Sequence, residues 1–150
     1  MAILVSKREE KMYLTFFVID LGVMAGFYCF LSRRKKILGL SLGMNLAMAM
    51  SLFFSLFLSF VLMETFPFYY VQIVCVTTLL SMLVGGLFGG LKDEQTILSG
   101  LANGMIMGLM SPMAAGVSLY DQEVFYLIQI LFLATIISLS FENKRWRKSI

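Results

Sequence analysis

The chain is 150 residues long, 59% hydrophobic and only 14% charged, with a net charge of +3 and no histidine. A soluble domain is nearer half apolar and a quarter charged, so the composition points to one membrane-embedded domain over 1–150 and argues against a second, soluble one. The positive charge is no sign of nucleic-acid binding, because the basic residues fall in short clusters between apolar stretches, where they orient a membrane chain. The missing histidine removes the commonest general base and metal ligand.

The first apolar stretch, about 12–31, is too long for a signal-peptide core and lacks a small-residue cleavage site after it. It is predicted to be a retained helix. Asp20 lies near its middle, where a carboxylate is costly unless it is paired or wet. No Lys or Arg lies in the other spans to pair with it. Its candidate partners are Asn45, Asn103, Gln72, Gln129 or a hydroxyl, and burial favours the uncharged acid. A proton or cation relay is the functional reading. A protonated Asp, hydrogen-bonded to one neighbour for packing, is the bland one.

The second stretch, about 37–62, carries a small residue at every fourth position: Gly39, Gly43, Ala47, Ser51, Ser55 and Ser59. Positions four apart share a helix face. In lipid, such stripes let backbones approach and gain dispersion contacts. The opposite face, with Phe53, Phe54, Phe57 and Phe60, is expected to meet lipid or a neighbouring subunit. The third stretch, about 68–91, ends in Gly85, Gly86, Gly89 and Gly90. The fourth, about 96–117, repeats the small stripe through Thr96, Gly100, Gly104 and Gly108, followed by Pro112, which removes a ladder hydrogen bond and favours a kink. Helices two to four are therefore expected to form a tight inner unit. Lining a narrow passage is the alternative use of the same small residues.

The fifth stretch, about 124–140, reads "FYLIQILFLATIISL" and echoes "FYYVQIVCVTTLLSM" of the third. Phe68, Tyr69, Gln72, Ile73, Thr78 and Ser81 recur as Phe125, Tyr126, Gln129, Ile130, Thr135 and Ser138, an offset of 57. The preceding helices match as well, with Gly39 and Gly43 answering Gly100 and Gly104 at an offset of 61. Helices two and three thus read as a hairpin duplicated as helices four and five, a parallel repeat about an axis along the membrane normal. On that reading Gln72 and Gln129 are equivalent. As facing carboxamides they could coordinate an ion or polar solute, or simply hydrogen-bond each other or helix backbones. Asn45 and Asn103 are three positions out of register between the copies.

The links between spans are short, which makes sequential helices antiparallel neighbours. Nine of the twelve Lys and Arg residues fall on one side if the C-terminus is cytoplasmic, three on the other. The positive-inside rule then places the N-terminus outside the cell membrane. The basic N-terminal segment "SKREEK" resists that crossing, and an interfacial first helix is the alternative. The C-terminal "KRWRK" reads as an anchor on an anionic leaflet.

Twelve methionines are present. Thioethers suit Cu(I), which makes the repeat equivalents Met44 and Met105 weak candidates. The flexible methionine side chain also fills irregular gaps beside glycine. Cys29 and Cys75 fall inside spans and suggest no disulfide framework. No catalytic signature or cofactor motif is present. The expectation is an all-α bundle of about five transmembrane helices and not an enzyme. It would act as a small transporter or channel, or the membrane subunit of one, for a small ion or polar solute. The alternative is a non-catalytic partner that assembles or regulates a larger membrane complex. Its expected partners are the lipid bilayer and either further copies of itself or other subunits.

Overall fold

The computed structural model describes residues 2–33, 40–118 and 122–146, with side chains over 12–33, 40–117 and 123–139 and at 141. Five helices follow in order: α1 (Ala2–Ser32), α2 (Leu40–Thr65), α3 (Tyr70–Gly89), α4 (Glu94–Ser118) and α5 (Gln122–Trp146). Among the described residues there is no strand. The main difference from the sequence reading is the start of α1, about ten residues earlier. Lys, Arg and Glu are good helix formers, so the polar segment 6–11 continues the helix between the apolar residues 2–5 and the long apolar stretch.

Four helices are long and apolar enough to cross a membrane, over Met12–Ser32, Leu40–Thr65, Tyr70–Gly89 and Glu94–Val117. The apolar part of α5, Glu123–Leu139, is shorter, at the low end of the roughly 17–25 residues that span hydrocarbon. α4 continues through Pro112, which is fully buried.

The centre of the bundle is α2. Of its most apolar window 61% is buried, against 17–28% for α1, α3 and α4. This corrects the expectation that its phenylalanine face meets lipid or another subunit. Phe57 and Phe60 are only 2% and 3% exposed. The small face of α2 is taken by α3 and α4, and the aromatic face by α1 and α5. Tyr13 and Phe16 of α1 and Phe57 and Phe60 of α2 all surround the ring of Phe125, at 4.8 to 6.3 Å between centroids. One turn of α2 inward, Phe53 and Phe57 meet Phe132 at 5.2 and 5.4 Å. Such tilted and edge-on pairs add about 0.5–1.5 kcal/mol each beyond area burial.

α3 and α4 pack most intimately of all. A Cβ on Gly104 would lie 2.5 Å from the Ser81 carbonyl oxygen, and one on Gly89, Gly100 or Gly108 would likewise strike the backbone of the facing helix. Gly43 is different: its nearest neighbour would be the Lys92 side chain, at 3.3 Å. Gly39 lies outside the described residues.

Polar side chains tie α2 to α4. Ser55 Oγ donates to the Met107 carbonyl (3.0 Å), and Ser59 Oγ shares a hydrogen bond with Ser111 Oγ (2.7 Å). Asn103 Nδ2 donates to the Met48 carbonyl (2.8 Å) and to Ser51 Oγ (2.9 Å). Ser81 Oγ of α3 closes the set on the Ser51 carbonyl (3.0 Å). Three of these pairs, 51 with 103, 55 with 107 and 59 with 111, share a separation of 52. Parallel helices in one register produce that constancy. At about 0.6 kcal/mol per interhelical bond, the ladder fixes register more than it supplies stability. The matched glycines of the two hairpins are 61 apart, so equivalent residues are displaced by nine positions, about 13 Å along the helix axis.

The first helix, α1, runs lengthwise beside the bundle, from Tyr13 against Phe125 at one end to Tyr28 against Phe88 at the other (5.3 Å). The outer surfaces are apolar. Val18, Val71, Leu79, Leu83, Met110 and Ile130 are each more than half exposed. The exposure of many further large apolar side chains along every helix is what helices long and apolar enough to cross a membrane present on their outer faces.

Candidate functional site

The seam between α1, α2 and α5 holds the one buried carboxyl group among the described side chains. Tyr13, Phe16, Phe17, Asp20 and Met24 recur at helical spacing and share the inward face of α1. Asp20 is 2% exposed. On α5, Phe125, Gln129 and Phe132 stand at i, i+4 and i+7, again one face. Gln129 Nε2 donates to Asp20 Oδ1 at 2.6 Å. The pair therefore lies between two aromatic layers, one around Phe125 and one around Phe132.

Two oxygens of this pair are left over. Asp20 Oδ2 and Gln129 Oε1 are buried and have no hydrogen-bond partner. Buried polar groups of this kind are rare, and each calls for a specific explanation.

The backbones of α1 and α5 do not approach closely. Long side chains bridge them: Asp20 to Gln129, Tyr13 to Phe125, and the Tyr126 hydroxyl to Met12 Sδ at 3.7 Å. This is a different kind of joint from the backbone contact of α3 with α4.

The other candidates are scattered. Gln72 is exposed on α3 and lines a shallow groove of ≈ 360 Å³ with Leu62, Phe66, Tyr69, Ile73 and Val76. It does not face Gln129, which meets Asp20 on the aromatic side of α2. Asn45 is exposed. Asn103 is half-buried and committed to α2 through Met48 and Ser51. Met44 and Met105 are not brought together: with 51 level with 103, they stand nine positions apart, about 13 Å along the axis. Among the described residues no cluster of three or more His, Cys, Asp or Glu exists to hold a metal.

The glycines Gly43, Gly85, Gly89, Gly100, Gly104 and Gly108 are all buried along the α2–α3–α4 contacts. What the sequence reading missed is the double use of the small stripe on α2. Ser51, Ser55 and Ser59 are fully buried, and they bond as well as yield space. Their partners Asn103 and Ser111 stand eight apart on one face of α4, a spacing that could have revealed the ladder. Also missed were Gly22 and Gly26 of α1, where an added Cβ would meet nothing within 4 Å.

Comparison of the chain with family models, with curated proteins and with solved structures returned no match.

Proposed function

We propose that this chain is a multi-pass membrane protein, with its C-terminus cytoplasmic and its N-terminus outside, that moves a small ion or polar solute. It does so alone or as the membrane subunit of a transporter or channel. The supporting observation is the buried Asp20–Gln129 pair with its two unpartnered oxygens. A structural acid gains most from complete hydrogen bonding, whereas a site that exchanges a ligand keeps acceptor capacity in reserve. In this reading α2, α3 and α4 form the scaffold. α1 and α5, held by side chains alone across their seam, form the part that opens. Reconstituted protein should carry flux that Asp20→Asn abolishes. Undiminished flux in that variant, or none in the wild type, removes the transport reading.

A second reading is a non-catalytic partner of other membrane proteins or of its own copies. Gly22 and Gly26 favour it, being a G-x-x-x-G pair in an apolar helix, the pattern through which membrane helices approach closely. Native mass determination in mild detergent separates the two: a stable complex lost in Gly26→Leu supports the partner role.

The hairpins α2–α3 and α4–α5 are proposed to be copies of one ancestral hairpin. The support is the repeated Phe-Tyr-x-x-Gln segment, with Thr78 and Thr135 at matching positions. The copies have since diverged in packing, since Phe68 is 94% exposed and Phe125 is 2% exposed.

A further inference from the structure

We propose that the Asp20–Gln129 pair binds one proton, carried as an O–H on Asp20 Oδ2 and received by Gln129 Oε1, and that it is not a metal-ion site. The proposal rests on the transport reading for its role, and names the ion that the site takes.

Hydrogen-bond accounting leads there first. The amide donates through Nε2 to Oδ1, which leaves Oδ2 and Oε1 both as acceptors with no donor. Two buried acceptors left without a donor are costly. One proton on Oδ2 turns the first into a donor and gives the second its partner. A planar acid then faces a planar amide through two reciprocal hydrogen bonds. A bridging water could also donate to both orphans, but it would leave a carboxylate charge in an apolar seam, which the proton removes.

The donor set excludes the alternative. Calcium takes about six to eight oxygen ligands and magnesium about six, several of them water; zinc takes about four, mostly His and Cys; and a dehydrated monovalent cation needs a ring of oxygens in place of its water. Asp20 and Gln129 offer three oxygens together, one already engaged. The walls are the rings of Phe53, Phe57, Phe125 and Phe132, which supply none. Charge gives the same answer. From α2 the packed face is Phe53, Phe54 and Phe57. On α1 and α5 the nearest titratable side chains are Tyr13, about two turns from Asp20, and Tyr126, about one turn from Gln129. A proton neutralises the carboxylate where it stands and needs no cage.

Loading forms the O–H bond on Oδ2 with a proton delivered by water. Unloading returns that proton to water and leaves the bonding electron pair on the carboxylate. Both steps require the α1–α5 seam to open, because Asp20 is closed to solvent as it stands. Gln129 is the positioning residue that holds the loaded acid in place.

Infrared spectroscopy of the protein in lipid vesicles tests this directly. The chain has three aspartates, Asp20, Asp93 and Asp121, so a protonated aspartic acid band that disappears in Asp20→Asn reports Asp20. The expected result is such a band in the wild type, displaced by carboxyl-13C labelling of aspartate, absent in Asp20→Asn and shifted in Gln129→Leu. The isotope arm needs no substitution and so does not depend on a variant folding. A wild type without the band overturns the proposal, and so does a band removed saturably by sodium, potassium or magnesium at fixed pH. A band without flux keeps the proton site and removes the transport reading. Flux without a band removes the proton site alone.

Discussion

Gly85 of α3 and Gly100 of α4 exclude each other's side chains: a Cβ built on either would fall on the carbonyl group of the other. The two helices meet there backbone to backbone. Alanine at Gly100 cannot be accommodated by a rotamer change, because the obstacle is main chain. We expect Gly100→Ala to lose about 1–3 kcal/mol, the range for overpacking. Gly22→Ala, with nothing within 4 Å, should be neutral or gain up to about 1 kcal/mol from helix propensity. Gly43→Ala should fall between them. Thermal unfolding in detergent ranks the three; equal midpoints would refute the α3–α4 contact.

Phe57 is 2% exposed and touches both Phe125 and Phe132. Replacing it with Ala should cost about 3–5 kcal/mol, the range for buried aromatic truncation, and should loosen α5 from α2. Leu79→Ala, at a residue 64% exposed on α3, should cost well under 1 kcal/mol. The same unfolding assay decides, and a mild Phe57→Ala would return that face of α2 to lipid.

The hydrogen bond between Ser59 and Ser111 is the outermost rung of the α2–α4 ladder, at 2.7 Å. A double-mutant cycle with Ser59→Ala and Ser111→Ala should give a coupling of about 0.6 kcal/mol. Additive losses would mean the two helices do not share the register inferred from the separation of 52.

Asp20→Asn should keep the fold, because an amide can still accept from Gln129 and donate to it. Asp20→Leu strands both polar atoms of Gln129 in an apolar seam and should cost about 1–3 kcal/mol. Unfolding midpoints that rank Asn below Leu would contradict the pairing.

The helical character and the succession of long apolar helices were legible from composition and run length alone. So was the inner α2–α3–α4 unit, because glycine at four-residue spacing has few uses in an apolar helix. The position of α2 was not. Its aromatic face looks the same in sequence whether lipid or other rings cover it, since hydropathy cannot distinguish two apolar surroundings. The complement lay in Tyr13, Phe16 and Phe17 on one helix and Phe125 and Phe132 on another, more than a hundred residues apart. For Asp20 the sequence supplied the acid and a short set of partners. It could not choose Gln129 over Gln72, because the repeat made the two look equivalent and only the tertiary arrangement separates them.

The distance along the chain between Asp20 and Gln129 has a consequence for biogenesis. Their bond joins the first helix to the last, across 109 residues. A chain made from its N-terminus delivers the acid long before the amide that receives it. Until α5 is synthesised, α1 carries an unmatched polar group, which disfavours its settling in the bilayer interior. We expect α1 to dwell at the insertion machinery or the headgroup region until the final helix arrives. Emergence of α5, rather than the hydropathy of α1 itself, would then commit α1 to its place.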